Sequence, residues 1–487
     1  MQQVDSEDAA FLFLEQPDNP AHLGLIALYD QSKTGGHVIR FQHILKHIQN
    51  RLASAPVFHQ KIKRVPADLD YPYWIEDDNF DLEYHVRHMA LPKPGDWRQF
   101  CIQISRIHSR PLDIRRPLWE MYVIEGLDKV AGLPGGSFAI YFKIHHCAMD
   151  EFTAIELLES LHETSANTQQ HEHKATQVTR FAAREPSSVD IAVQMVFGNM
   201  LRGAKFSLQS VKYRKAISRQ LARATMRRLS RVTSSKNVED EHDTRFAAAP
   251  GSARVFEGGF YQRKILDDFM AQVTGANMHH ALAVVCGEAT RRYLAGKDGL
   301  GELNLSARLQ INLRNAGAHA LSGNRMALQN IELYTGVENL VERLYAIVGT
   351  NVPASDDDLE EKSHRIRSFY EYIPSPFLSA LGRWSKREPQ SLEAGGSCGI
   401  STLTGPQQTV YFLGAKMSGL TSVSPLYKGC GLMYSASLYE DKLAISFTSG
   451  RDILPDPENL VACLDKVMKE ISEYSGQLTQ LEAGVSL

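Results

Sequence analysis

The sequence predicts an α+β protein of two domains, and three of its features support this prediction. The chain has 487 residues, 43% of them hydrophobic, which can bury a large core and is too long for one typical domain. Residues 138–151 pass directly from a strand pattern to the start of a helix pattern. A similar alternation of short strands and helices resumes near residue 250, after a basic stretch.

Composition excludes several classes of protein. The net charge of −3 and the lack of a zinc-finger or RNA-binding motif argue against a nucleic-acid binder. The six cysteines have no paired spacing, which predicts free thiols in a reducing compartment. The N-terminus is acidic without the features of a signal peptide, and no run approaches ~18 consecutive apolar residues. We therefore expect a cytoplasmic protein whose contact with a membrane is at most peripheral.

Shorter segments of the first half fit the same class. Residues 9–15 have a helix-like pattern, and residues 22–29 have a strand-like one. Residues 41–53 predict an amphipathic helix. Residues 118–124 predict a strand that pairs with 138–145 across a glycine-containing turn.

The most informative stretch joins a strand to a helix. Alternate residues of 138–144 are aromatic or β-branched, which predicts a buried strand, and His146 continues the same face. Asp150 is placed to cap the helix that follows, in which apolar residues recur at helical spacing. His145 and His146 are therefore expected at the end of a strand, just before a helix.

A histidine in this position suits general base catalysis. A neutral imidazole takes a proton from a hydroxyl group as that hydroxyl attacks, so no nucleophilic serine or cysteine is needed. Two other interpretations stay open. Both histidines could be ordinary strand-end residues with satisfied hydrogen bonds. His146 and Asp150 could also bind a metal beside Cys147, although no further ligands follow at zinc spacing.

The run His145-His146-Cys147-Ala148-Met149-Asp150 resembles the HHxxxDG signature of the bacterial wax ester synthase/diacylglycerol acyltransferases. That family is related to chloramphenicol acetyltransferase and to the condensation domains of peptide synthetases. Pro117-Leu118-Trp119 resembles the family's PLW motif, and further similar segments follow in the same order over nearly the whole chain. The resemblance implies two chloramphenicol acetyltransferase-like domains, built of mixed sheets flanked by helices, with the active site in a tunnel between them.

The resemblance also implies an activity and roles for residues. It implies transfer of a fatty acyl group from acyl-CoA to the hydroxyl of a long-chain alcohol or diacylglycerol. His146 would be the general base, and no metal and no cofactor other than the acyl-CoA substrate would be needed. His145 would support the geometry of His146. Asp150 would fix the loop as a cap or in an ion pair, and Trp119 would form scaffold and tunnel wall.

The chain departs from the family pattern at two candidate substrate-binding positions. Glu151 stands where the family has glycine, and adds bulk and negative charge beside the base. His279 stands where the family has an asparagine thought to hold the substrate or its oxyanion, and a histidine can also donate a hydrogen bond there. In addition, residues 401–406 read STLTGP where the family usually has SNVPGP.

Three segments are expected along the chain. Residues 1–180 form the domain that carries the HHxxxD motif, residues 181–244 a basic helical linker, and residues 245–487 the second domain. Within the linker, the basic amphipathic stretch 202–231 suits an anionic membrane or lipid-droplet surface, or a phosphate-bearing ligand such as coenzyme A. A solvated helix packed across the two domains explains it equally well.

One segment of the sequence matches a motif of a different enzyme class. Gly395-Gly396-Ser397-Cys398-Gly399 fits the G-x-S-x-G pattern of serine hydrolases, but a strand-like stretch follows it and no histidine lies beyond His364 to complete a triad. Two alternatives stay open. One is an acyltransferase of this fold with a different donor or acceptor, and the other is a catalytically weak lipid-binding paralogue.

Overall fold

The computed structural model describes residues 2–32, 34, 39–52, 55–166, 195–203, 205, 244–298, 304–312, 326–350, 373–387, 397–427 and 429–485. The strands are β1 (Gln2–Gln3), β2 (His22–Asp30), β3 (Gln60–Lys63), β4 (Tyr73–Glu76), β5 (Val86–Ala90), β6 (Trp119–Glu125), β7 (Phe138–His145), β8 (Arg254–Gln262), β9 (Ser306–Asn312), β10 (Met326–Glu332), β11 (Cys398–Thr404), β12 (Tyr411–Phe412), β13 (Ala415–Val423), β14 (Leu432–Tyr439) and β15 (Lys442–Gly450). The helices are α1 (Ser6–Leu14), α2 (Phe41–Leu52), α3 (Leu82–His85), α4 (Trp97–His108), α5 (Glu151–Ser160), α6 (195–203), α7 (Lys264–Met270), α8 (Met278–Asp298), α9 (Leu340–Gly349), α10 (Ser375–Arg387) and α11 (Pro457–Val485). The predicted α+β class is confirmed.

Strand β7 lies in the middle of the first six-stranded sheet, whose order is β12-β13-β2-β7-β6-β5. It pairs antiparallel with β2 on one side and with β6 on the other, so the predicted pairing with the strand at 118–124 is confirmed. Every residue of β7 is buried. One face packs against α2 and α5, and the other packs against α4. The continuous apolar run of the sequence therefore corresponds to a strand covered on both faces.

The second six-stranded sheet has the order β10-β9-β11-β14-β15-β8. It is mixed, because β11 runs parallel to both β9 and β14 while the other pairs are antiparallel. Helices α7, α8 and α11 pack on one another, and α8 is buried along most of its length between Ala281 and Leu294. The core of the second half lies between these helices and the sheet.

The two sheets do not divide the chain at one point. Strands β12 and β13 come from the second half of the sequence and pair into the first sheet, where β13 lies antiparallel to β2. The same strand β13 also contacts β14 of the second sheet. The domain boundaries at residues 180 and 245 stay a prediction, because most residues between them lie outside the described part of the chain.

A smaller layer covers the end of the first sheet where the histidine pair lies. It contains the three-stranded sheet β1-β4-β3, together with α1 and α10, which pack on each other. The two helices approach so closely at Gly382 that a Cβ atom there would lie 2.3 Å from the carbonyl oxygen of Phe13. Only glycine avoids that contact.

No helix within the described ranges is long and apolar enough to cross a membrane. All six cysteines are free thiols, and all but Cys463 are buried.

Candidate active site

The loop between β7 and α5 is fixed by backbone hydrogen bonds. The N–H of His145 donates to Leu118 O at 3.0 Å, and the N–H of His146 donates to Ala21 O at 2.9 Å. The carboxylate of Asp150 accepts a hydrogen bond from the N–H of Thr153 at 2.9 Å, which caps α5. The predicted capping contact is therefore present, and the loop is held at both ends.

One ring nitrogen of His145 is hydrogen-bonded, and the other faces a carboxylate. Its Nδ1 accepts a hydrogen bond from the N–H of Cys147 at 3.1 Å. Because Nδ1 is an acceptor, the neutral ring carries its proton on Nε2, which faces Glu15 Oε1 at 3.3 Å. This ring is buried and engaged inside the protein, so it is poorly placed to accept a proton from a substrate.

His146 is fully buried, and its ring lies flat against that of Phe11 from α1. The ring centroids are 4.4 Å apart, and the planes differ by 9°. The sequence predicted that His146 continues the apolar face of β7. That prediction is wrong, because the strand ends at His145 and the chain turns before His146. A turn breaks the alternation of side chains that a strand imposes.

One oxygen of Glu15 links the ring of His145 to the backbone that holds His146. Its Oε1 accepts a hydrogen bond from the N–H of Ala21 at 3.2 Å, and the carbonyl of Ala21 in turn accepts from His146. The same oxygen faces Nε2 of His145. Both Glu15 and Phe11 belong to the N-terminal helix region, which the sequence analysis did not assign to the site. The signal available there was a glutamate four residues after an aromatic residue, which is too common to single out.

Several buried titratable side chains lie near His145. The ring of His22 lies 5.8 Å from that of His145, and His108 accepts or donates a hydrogen bond at 2.7 Å with Tyr141. Burial lowers the pKa of both His22 and His108 well below the usual value. Lys143, also buried, donates to the carbonyl of Ile107, and burial lowers its pKa to about 8. Neutral imidazoles are thus favoured in this part of the core.

Glu151 is the first residue of α5 and is buried against the second half of the chain. Its Oε2 accepts a hydrogen bond from the hydroxyl of Ser401 in β11 at 2.8 Å, and lies 3.5 Å from Nε2 of Gln310 in β9. Burial raises the pKa of this carboxyl to about 7, against the opposing effect of the bond from Ser401. The two halves of the chain therefore meet beside the histidine loop.

Two of the predicted substrate-binding residues lie elsewhere. Nε2 of His279, at the start of α8, is 3.0 Å from the hydroxyl of Thr402. Thr402 and Ser401 are adjacent in β11, so their side chains point to opposite faces of the sheet, and the structure does not bring His279 and Glu151 together. Trp119 is buried in the first core, where its Nε1 donates to Phe58 O at 3.1 Å. Their substrate contacts stay predictions.

The hydrolase pattern is not supported by its surroundings. Residues 395–396 lie outside the described part of the chain, but Ser397 is buried and is followed directly by strand β11. A nucleophile elbow needs a helix after the serine. Among the described residues, no group of three or more His, Cys, Asp or Glu side chains could hold a metal ion.

Two mixed sheets, the first of which takes in β12 and β13 from the second half of the sequence, with a buried histidine pair at the end of a central strand, form a fold of the chloramphenicol acetyltransferase type. The chain belongs to the wax ester synthase/diacylglycerol acyltransferase family, whose catalytic domain matches residues 4–262 and whose C-terminal domain matches residues 322–472. The family identified from the sequence motifs is confirmed.

Relatives of known name agree over almost the full length. The chain is 26% identical over 490 residues to O-acyltransferase WSD of Acinetobacter baylyi, covering 98% of this chain and 97% of the relative. It is 26% identical over 489 residues to tgs2 of Mycobacterium tuberculosis, which is named a probable diacylglycerol O-acyltransferase, covering 96% of this chain and 98% of the relative.

Solved structures show the same fold. The wax ester synthase/diacylglycerol acyltransferase of Marinobacter aquaeolei superposes with a TM-score of 0.64 at 21% identity, covering 98% of this chain and 100% of the other. The first condensation domain of the calcium-dependent antibiotic synthetase superposes with a TM-score of 0.55 at 14% identity, covering 97% of this chain and 96% of the other. The predicted relation to condensation domains is confirmed at the level of the fold.

Proposed function

We propose that this protein transfers a fatty acyl group from acyl-CoA to the hydroxyl of a long-chain alcohol or of diacylglycerol, with His146 as the general base. The observation that carries the assignment of the base is the environment of the His145 ring. Its Nδ1 accepts a hydrogen bond from the N–H of Cys147 and its Nε2 faces Glu15, so both ring nitrogens face groups of the protein and His146 is the better candidate of the pair. Family membership and the names of the relatives support the substrate classes.

The reaction needs one proton carrier. His146 takes the proton of the acceptor hydroxyl as its oxygen attacks the thioester carbonyl, and a carbon–oxygen bond forms. The tetrahedral intermediate then collapses, the carbon–sulfur bond breaks, and the thiolate of coenzyme A takes the proton back from the imidazolium. The products are an ester and free coenzyme A. Holding both substrates together supplies much of the rate, and no acyl-enzyme is required.

Three other residues have supporting roles in this proposal. Asp150 caps α5 and so fixes the loop that carries the histidines. His145 and Glu15 hold the backbone around His146 in place. Trp119 lies in β6, the strand beside β7, and packs in the core. We also propose that it contacts the substrate, although its packing in the core does not depend on such a contact.

The test is release of free thiol from palmitoyl-CoA by the purified protein, with hexadecanol or a diacylglycerol as acceptor. We expect acceptor-dependent release that the variant His146→Ala loses while keeping its unfolding midpoint. Activity close to wild type in that variant would contradict the role of His146. Release with an amine or a carrier-protein thioester alone would favour the alternative donor or acceptor, and binding of lipid without any release would favour the weak paralogue.

We propose further that α6 attaches the protein to a lipid surface. Four apolar side chains of this helix are between 58% and 62% exposed: Val196, Phe197, Met200 and Leu201. At 100° per residue these four lie on one side of the helix. On the other side, Arg202 pairs with Asp70 at 2.9 Å, and Asn199 donates to Leu69 O at 2.6 Å. The helix is thus tied to the first half with its apolar side outward.

The sequence after α6 supports an anionic surface as the partner. The basic stretch 202–231 continues from this helix with no acidic residue, although all of it beyond residue 205 lies outside the described part of the chain. We expect flotation with vesicles that contain phosphatidylglycerol, and its loss in the double variant Phe197→Asp, Leu201→Asp. Tyr345→Asp, at an exposed apolar residue of α9, is the matched control. Equal flotation of both variants would contradict the proposal.

A further inference from the structure

The side chain of Glu151 crosses from the first half of the molecule to the second. It begins at the first residue of α5, and its carboxylate ends between β9 and β11. Ser401 and Gln310, which face it there, are neighbours in the parallel pairing of these two strands. All three side chains are buried. We call this contact between the start of α5 and strands β9 and β11 the α5 seam.

The hydrogen bonds across the α5 seam are of a different kind from those at a second contact between the two halves, where α4 meets β8. Where α4 meets β8, the backbone N–H groups of Arg254 and Phe256 donate to the hydroxyls of Ser109 and Ser105, each at 2.9 Å. These bonds tie the backbone of a strand to the facing helix. At the α5 seam, the hydrogen bonds of Glu151 with Ser401 and Gln310 join side chain to side chain. Side chains can change rotamer and part while the strands stay intact.

A substrate needs a contact that can open in order to reach His146, because His146 is completely buried. The strands on either side of β7 are continuously paired, and opening them would break ladder hydrogen bonds. The α5 seam follows the loop of His146 directly in the chain, and the side chain of Glu151 spans it. The length of that side chain therefore decides how much room a substrate has there.

The carboxylate fills this position without being fully paired. Its Oε2 has the partners named above and the hydroxyl of Ser424 also interacts with the carboxyl, whereas Oε1 is buried and makes no hydrogen bond of good geometry with the residues that the structure describes. A buried carboxyl oxygen without a donor is costly. A side chain kept there only for stability would be expected to satisfy both oxygens.

We propose that Glu151 is a specificity-determining residue. Its side chain narrows the α5 seam and so selects acyl donors by the size of the group attached to the thioester sulfur. This inference rests on the proposed role of His146. A thioester of a small thiol reaches His146 past Glu151, whereas a thioester of the much larger coenzyme A requires the side chain of Glu151 to move. Replacing Glu151 by glycine, the smallest residue, removes that restriction.

The experiment compares two donors that carry the same lauroyl group, lauroyl-CoA and lauroyl-N-acetylcysteamine, with hexadecanol as acceptor. In Glu151→Gly we expect KM for lauroyl-CoA to fall at least fivefold and KM for the short thioester to change less than twofold. The isosteric variant Glu151→Gln keeps the bulk, and Ser401→Ala removes the partner without opening the seam. We expect both to retain the wild-type ratio of the two KM values.

Equal changes of KM for both donors in Glu151→Gly would overturn the proposal, because the effect would then lie at the reacting carbonyl. If Glu151→Gln showed the same altered ratio of the two KM values as Glu151→Gly, the proposal would also be overturned, because charge and not bulk would be the cause. Calorimetric binding of coenzyme A gives a readout that is independent of turnover, and we expect at least fivefold tighter binding by Glu151→Gly than by wild type and Glu151→Gln. Unchanged binding would overturn the inference even if transfer fails. Activity that survives in His146→Ala would instead contradict the proposed function.

Discussion

The ring of Phe11 lies against the ring of His146, with centroids 4.4 Å apart and planes that differ by 9°. This contact joins the N-terminal helix α1 to the loop after β7. It fixes the plane of the imidazole, because a flat stacking partner on one face leaves the ring little freedom to rotate. The orientation of a general base towards its proton donor depends on that plane.

Replacing Phe11 by leucine should lower kcat more than it changes KM. The substitution keeps an apolar side chain but removes the stacking ring, a contact worth about 0.5–1.5 kcal/mol. We expect kcat with palmitoyl-CoA and hexadecanol to fall about tenfold, which corresponds to ~1.4 kcal/mol in the barrier. Phe11→Tyr keeps the ring and is the control. A leucine variant with wild-type kcat would show that the stacking does not orient the base.

Removing the carboxylate of Glu15 should disturb both histidines. In Glu15→Ala, Nε2 of His145 loses the carboxylate that it faces and the N–H of Ala21 loses its acceptor, and we expect kcat to fall about tenfold, an effect of ~1.4 kcal/mol. Glu15→Gln keeps an acceptor oxygen and should stay within about threefold, well under 1 kcal/mol. Hydrogen exchange at Nε2 of His145, followed by NMR, should accelerate in the alanine variant. Exchange and kcat that are unchanged in Glu15→Ala would contradict this role.

The stability of the protein should fall as the pH rises between about 4.5 and about 7 because of Glu151. Its pKa rises from an ordinary 4.5 to about 7 on burial, so in this window the folded state keeps a proton that the unfolded chain has lost. The loss amounts to about 3 kcal/mol and is complete above this window. Among the described residues, the titratable groups that interact with Glu151 are Asp150, which precedes α5 as its N-cap, and Tyr427 across the α5 seam.

Urea unfolding at several pH values checks this pH dependence. The neutral side chain of Glu151→Gln does not titrate, so the variant should lack the fall and be more stable than wild type above the window. Parallel curves of free energy against pH for the two proteins would mean that Glu151 does not titrate as its burial implies.

Trp119 should matter more for stability than for substrate affinity. Its ring packs against Phe58 and His85 inside the first core, with centroids 5.2 Å and 4.7 Å away. We expect Trp119→Ala to lower the free energy of unfolding by about 3–5 kcal/mol, as truncation of a buried large aromatic side chain does. Trp119→Phe should cost less. A tunnel wall that only touches substrate would instead show an altered KM with unchanged unfolding.

Much of the fold could be predicted from the sequence because strands and helices have different periods. The alternation at 138–144 and the helical spacing after Asp150 located β7 and α5, and the pairing of β7 with the strand at 118–124 followed from the turn between them. The exchange of β12 and β13 into the first sheet could not be predicted. Strand pairing between residues some 400 positions apart leaves no local pattern in a single sequence.

The sequence by itself determined the family, the mixed α+β class and the histidine pair, because motifs and periodicity are local properties of the chain. Only the tertiary structure decided which side chains meet that pair. Phe11 and Glu15 reach it from the N-terminal helix, and Ser401 faces Glu151 from the second sheet. His279, which the motif placed near the substrate, lies against the opposite face of β11 from Glu151. These contacts depend on how whole elements pack, and packing is set by the shape and burial of many residues together, not by spacing along the chain.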